Sequence, residues 1–182
     1  MINLAVLDLG ECAPSKCTGQ KLVHMGYART VARMAGLRAG TIVLVPSPHS
    51  ELTLSPSDRE TAIRHGITAL DCSWNKAEGD REGRGGTFAK LRSGLRKRRA
   101  VTRALPFLMP VNPVNYGHAL KLSTLEALAA AVYIVGNKEQ AGRMLNIYKW
   151  APHFLEMNKE PLEDYASAKD SKQVVELQAR YF

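Results

Sequence analysis

The sequence predicts an α/β lobe followed by a helical lobe, and three observations predict it. Short apolar runs at residues 2–7, 40–45 and 67–71 read as strands, with a capped helix between the last two. The chain changes character after Arg103, where prolines punctuate an irregular stretch. From Ser123 onward, apolar residues recur at helical spacing.

Taken in order, the run INLAVL at 2–7 is a buried strand, and DLGECAPSKCTGQK after it is a loop rich in Gly, Pro, Ser and Cys. Residues 21–25 make a helical turn that Gly26 ends. GTIVLV at 40–45 is β-branched, apolar and suited to burial on both faces. Ser55-Pro56-Ser57-Asp58 opens a helix with a hydroxyl cap and an early proline, and Gly66 closes it. Strand, helix, strand in this order implies a sheet that is at least partly parallel. Residues 75–103 carry five glycines and many charges, so a mobile polar insertion is expected there. PVNPVNYG excludes regular structure. Ser123-Thr124-Leu125-Glu126 is a capping box, and the helix it starts runs to Gly136. A second helix spans 137–158, bent or broken near Pro152, and a third spans 160–182. The expected organisation is an α/β lobe at 1–103, including a basic insertion at 76–103, and a helical lobe at 104–182.

The chain has 182 residues, 45% of them hydrophobic and 23% charged, an ordinary composition for a globular domain with a sizeable core. No apolar run reaches the roughly 18 residues of a membrane span. MINLAVLDLG has no basic start and is not read as a signal peptide. Three cysteines make no paired disulfide framework, and a reducing cytoplasm is expected.

The net charge is +8, and it is concentrated. Arg84, Lys90, Arg92, Arg96, Lys97, Arg98, Arg99 and Arg103 form a stretch without an acid; elsewhere 17 basic residues balance 17 acidic ones. Such a patch raises the local potential toward a polyanion. Nucleic acid is the favoured partner, with a solubilising loop and an anionic membrane surface as alternatives. Gly83-Arg84-Gly85-Gly86 lacks the GK[ST] ending of a phosphate loop and reads as an adaptable RNA-contacting loop. Cys12, Cys17, Cys72 and His24 lack the close pairing of a structural zinc site, so no metal is expected. Asp71-Cys72-Ser73-Trp74 ends a strand where α/β sites form, with a capping acid and a core tryptophan as the bland alternative. The irregular 112–124 link enters a helix whose N-terminus offers free donors, although Ser123 already caps it.

Together these stretches resemble one family. Lys16-Cys17-Thr18-Gly19, Leu54-Ser55-Pro56, Asp71-Cys72-Ser73-Trp74, Leu105-Pro106, Asn112-Pro113-Val114-Asn115-Tyr116-Gly117 and Lys121-Leu122-Ser123-Thr124 occur in the order found in the small-subunit rRNA aminocarboxypropyltransferases. The resemblance implies a SPOUT-like fold with a deep trefoil knot, and S-adenosylmethionine (SAM) as co-substrate. It implies transfer of the 3-amino-3-carboxypropyl group to a ring nitrogen of a (methyl)pseudouridine in small-subunit rRNA, with methylthioadenosine released. Thr18 and Thr124 then hold the donor's aminocarboxypropyl end, Leu70 its ribose, and Leu105 and Leu120 its adenine through main-chain groups. Leu122 belongs to the same donor site. Trp74 and Ala77 form the pocket for the sulfonium methyl, and Asp71 is the candidate base or positioning group. A pre-ribosomal particle is the implied partner, met by a monomer away from membranes. Two alternatives stand beside this: a SPOUT-like RNA methyltransferase, and a non-catalytic rRNA-binding assembly factor.

Overall fold

The computed structural model describes residues 1–10, 17–45, 52–71 and 87–181, except for the side chains of 87–90 and 92. Five strands form one parallel sheet: β1 (Leu4–Asp8), β2 (Arg29–Val31), β3 (Ile42–Leu44), β4 (Ile67–Asp71) and β5 (Val101–Arg103), ordered β2-β1-β4-β3-β5. Both faces are covered, which explains why the strands read as unbroken apolar runs rather than alternating ones. Leu4, Val6, Ile42, Leu44, Ile67 and Ala69 join the larger core cluster, while Ala5, Leu7, Val43 and Leu70 join a smaller one with Leu37, Leu91 and Leu95.

Helix α1 (Thr18–His24) links β1 to β2, and α2 (Arg59–His65) links β3 to β4. Gly66 ends α2 at φ +83°, and a Cβ there would lie 2.6 Å from the Asn3 carbonyl oxygen, so only glycine fits. Helix α3 (Thr87–Lys97) precedes β5. The helical half contains α4 (Thr124–Ile134), α5 (Lys138–Leu145), α6 (His153–Met157), α7 (Lys159–Ser167) and α8 (Ser171–Gln178). The Ala-rich α4 is the central helix: Leu125 and every residue from Leu128 to Val135 are buried, and it packs against β4, α1, α5 and α7.

The structure corrects two expectations, adds one strand and bears out one break. The stretch at 75–103 is not all irregular: 87–97 is helical and 101–103 is a sheet strand, because Leu91 and Leu95, one turn apart, seal the smaller core. Strand β2 lies in a segment that shows no apolar run; its pairing with β1 makes it a strand. The break expected near Pro152 within 137–158 is present and covers 146–152, leaving two helices. The helix expected at 160–182 is also two, because the Asp170 carboxylate accepts from the Gln173 amide and starts a new helix.

Candidate functional site

Strands β1 and β4 are neighbours, but their outgoing connections diverge, β1 toward β2 and β4 across β3 to β5. That divergence is the switch point of an open α/β sheet, where the carboxyl ends of the strands leave a crevice. Asp8 and Asp71 end the two strands in register there.

Asp71 is 3% exposed and organises the junction. Its Oδ1 accepts from the Thr124 hydroxyl at 3.0 Å, and its Oδ2 accepts from the Cys17 thiol at 2.8 Å. Cys17 is the N-cap of α1, and its sulfur also accepts from the Gln20 amide. Burial, reinforced by the bond to Asp71, pushes the Cys17 pKa up to about 11, so at neutral pH it remains a thiol and a donor. The Thr18 hydroxyl accepts from the Leu125 amide at 3.2 Å, so α1 and α4 begin side by side. The approach at Gly19 is close: a Cβ there would lie 3.0 to 3.4 Å from the side chains of Val6, Thr124 and Asp71, which would have to give by a few tenths of an ångström. Thr18, Asp71 and Thr124, far apart in sequence, thus form one cluster.

A second layer shapes the loop leading into α4. Glu126 is fully buried, and its carboxylate accepts five bonds: from the Val111 and Asn112 amides on Oε1, and from the Asn112 side chain and the Ser123 amide and hydroxyl on Oε2. The capping box is therefore also a clamp that closes the 111–123 loop. Leu120 lies in this loop at φ +68°, a conformation that costs a non-glycine residue about 1 kcal/mol or more. Its amide bonds the Leu108 carbonyl at 3.0 Å, and its side chain is exposed. The segment before the loop, interrupted by Pro106 and Pro110, lies outside the sheet, and the helical lobe supplies its partners. Phe107 bonds Gln178 and Tyr165, and Met109 bonds Asn158 through both its amide and its carbonyl. Leu105 and Leu122 pack against the main core on either side of this loop. Leu70 is buried on β4 beside Asp71.

The remaining sequence expectations separate. Trp74, Ala77 and Arg84 lie outside the described residues. Lys90 and Arg92 lie on α3, and their side chains are outside the described part of the chain. Arg96, Lys97, Arg98 and Arg99 are exposed at the end of α3. Arg103 differs from them: its guanidinium is bonded to both oxygens of the buried Asp58, at 2.9 to 3.0 Å, and is 18% exposed. Sequence reasoning missed Cys17 as a donor and Glu126 as a loop clamp. The signals were a cysteine at an N-cap and an acid whose capping role hides a longer reach. Among the described residues no cluster of three or more His, Cys, Asp and Glu side chains could hold a metal.

Residues 42–182 match the model described as "Ribosome biogenesis protein, C-terminal". Residues 2–34 match one described as a possible Fer4-like domain in RNase L inhibitor. A cluster held by cysteines alone takes four thiolates, whereas the whole chain has three cysteines. A 16S rRNA aminocarboxypropyltransferase of Methanothermobacter thermautotrophicus is 41% identical over 99% of this chain and 98% of its own length. One from Methanosarcina mazei is 40% identical over 99% of this chain and 95% of its own. A solved structure, the SAM-dependent rRNA:acp-transferase Tsr3 from Vulcanisaeta distributa, superposes with a TM-score of 0.78 at 32% identity, covering 99% of this chain and 95% of that one. With likeness this high over nearly its full length, in both sequence and fold, the chain belongs to the 16S rRNA aminocarboxypropyltransferase family.

Proposed function

We propose that this chain transfers the 3-amino-3-carboxypropyl group of SAM to a ring nitrogen of a (methyl)pseudouridine in small-subunit rRNA. The observation that carries this reading is the meeting of Thr18, Asp71 and Thr124 at the sheet's switch point, in a chain of this family. In this reading Thr18 and Thr124 hold the donor's aminocarboxypropyl end. The main-chain groups of Leu70, Leu105 and Leu120 serve its adenosine, and Leu122 completes the donor site. The strained backbone at Leu120, held by Leu108 and by the Glu126 clamp, supports a loop shaped before the donor arrives.

SAM carries three electrophilic carbons on one sulfonium, and the carbon in line with the nucleophile reacts. The resemblance assigns the sulfonium methyl to Trp74 and Ala77, which lie outside the described residues; a tryptophan face against a sulfonium is worth about 0.5–2 kcal/mol of cation–π attraction. The imide nitrogen then forms a bond to the methylene carbon. The carbon–sulfur bond breaks, its electron pair neutralises the sulfonium, and methylthioadenosine leaves. The imide proton departs toward Asp71, whose carboxylate Cys17 and Thr124 hold in place. The fold in this reading is SPOUT-like, with a deep trefoil knot in the lobe at 104–182 resting on the lobe at 1–103. The chain acts as a monomer on a pre-ribosomal particle in the cytoplasm. Among the described residues no helix is long and apolar enough to cross a membrane.

The test is incubation with small-subunit rRNA and SAM labelled in its carboxyl group, followed by nucleoside mass spectrometry. Label on a uridine derivative, with methylthioadenosine released, is the expected result. S-adenosylhomocysteine instead would make the chain a methyltransferase. RNA binding without either product would make it an assembly factor.

A further inference from the structure

We infer that the RNA-facing basic surface is built from two segments far apart in sequence, and that it grips rRNA phosphates, most of it at the end of the sheet away from the reaction. The inference rests on the proposed rRNA reading and adds Arg33 and Arg38 to the residues at the end of α3.

No Asp or Glu occurs between Glu11 and Glu51, nor between Glu82 and Glu126. The fold packs these two acid-free stretches together. The Gly40 amide bonds the Arg99 carbonyl at 3.1 Å. A Cβ on Gly94 of α3 would lie 2.6 Å from Met34, so α3 lies directly on the 34–36 turn. Leu37, Leu91 and Leu95 share one apolar cluster beneath, with Met34 and Ala100 packed against it. Arg99, at φ +54°, turns the chain sharply from α3 toward β5. Around this seam Arg33, Arg38, Arg96, Lys97, Arg98 and Arg99 are all exposed. Among the described residues none of the six forms an ion pair, whereas several cations of the helical half do: Lys138 with Glu163, Arg143 with Glu139 and Arg180 with Asp164. Six unneutralised cations on adjacent segments make a surface for a polyanion.

The location constrains how it works. Arg38 precedes β3 and Arg99 precedes β5, both at the amino ends of strands, whereas Arg33 follows β2 at its carboxyl end. Asp71 lies at the carboxyl end of β4. A five-residue strand spans about 15 Å, and the eleven residues of α3 about 16 Å. Arg38 and the residues at 96–99 therefore meet backbone away from the acceptor base, and Arg33 extends the surface toward the Asp71 end; phosphate contacts there position without reading sequence.

The experiment measures affinity for a small-subunit rRNA fragment carrying the acceptor uridine, across a salt series. Its proteins are the parent, the pair Arg33→Ser/Arg38→Ser, and the quadruple variant with serine at 96–99; SAM affinity by calorimetry reports an intact fold. Each phosphate deprived of its cation flattens the slope of log affinity against log salt by about 0.7–0.9, and both variants are expected to flatten it. If the quadruple variant flattens the slope and the pair leaves it unchanged, the joined surface is overturned while the α3 reading stands. If the quadruple variant also keeps the parent slope, the α3 reading falls and takes the joined surface with it. A drop in RNA affinity at a single salt with the slope unchanged would overturn the phosphate role.

Discussion

Asp71 shows how one side chain can join three elements. It ends β4, takes the thiol of the α1 cap, and takes the hydroxyl of the first residue of α4. Cys17→Ala leaves one buried oxygen without this donor, a loss of about 1–3 kcal/mol. Cys17→Ser, which still donates, should recover part of it in urea unfolding. Cys17 also sets a pH dependence. Folding raises its pKa from 9.0 to about 11, so the folded state holds the proton more tightly. That contribution is complete below pH 9 and disappears as pH rises toward 11. The parent should therefore lose stability across this window faster than Cys17→Ala does, as the two urea curves would show. Asp71→Asn should keep SAM binding and lose most transfer, measured as methylthioadenosine release. Full activity would remove Asp71 from the chemistry, and loss of both would make it structural.

Among the elements, the 111–123 loop depends most on a single group. Glu126→Gln sets an amide NH2 against donors that now face a carboxylate. The expected cost is on the order of 3 kcal/mol in stability. SAM affinity should also weaken, because Leu120 loses the clamp that supports its left-handed backbone. Calorimetry at a temperature where the variant is still folded separates the two effects. Arg103 makes the opposite kind of test. Replacing it with serine strands the buried Asp58 carboxylate and should cost about 3–5 kcal/mol. The salt slope of RNA binding should stay at the parent value, because this guanidinium is bonded to Asp58 rather than exposed like those at 96–99.

For the molecule as a whole, one apolar cluster contains Ile2 and Leu4 from the start of the chain and Leu162, Tyr165 and Val174 near its end. The Gln140 side chain on α5 bonds both the amide and the carbonyl of Ile2, at 2.8 and 2.7 Å. The sheet would expose one face without the helices, and the 105–112 segment would lose its partners. Residues 1–103 and 104–182 should therefore unfold in a single transition, with far-ultraviolet dichroism and aromatic fluorescence superimposing in urea. Two separated transitions would show that the lobes are independent.

The sequence by itself determined the elements whose signals are local. The strands at β1, β3 and β4 are apolar runs, Ser55 with an early proline opens the turn that leads into α2, α4 carries a capping box, and the glycines at 26, 66 and 136 stop helices. Motif order also placed Thr18, Asp71 and Thr124 in one expected site. Tertiary structure decided what depends on neighbours. β2 and β5 are three residues each and are strands only because β1 and β3 offer an edge. Helix α3 looked like polar insertion because its apolar residues are few, yet Leu91 and Leu95 suffice once a sheet face lies beneath them. The basic residues show the division most directly. A sequence displays the charge of every arginine alike, but the environment decides its use: a buried carboxylate claims Arg103, while no described acid pairs with Arg33, Arg38 or the residues at 96–99.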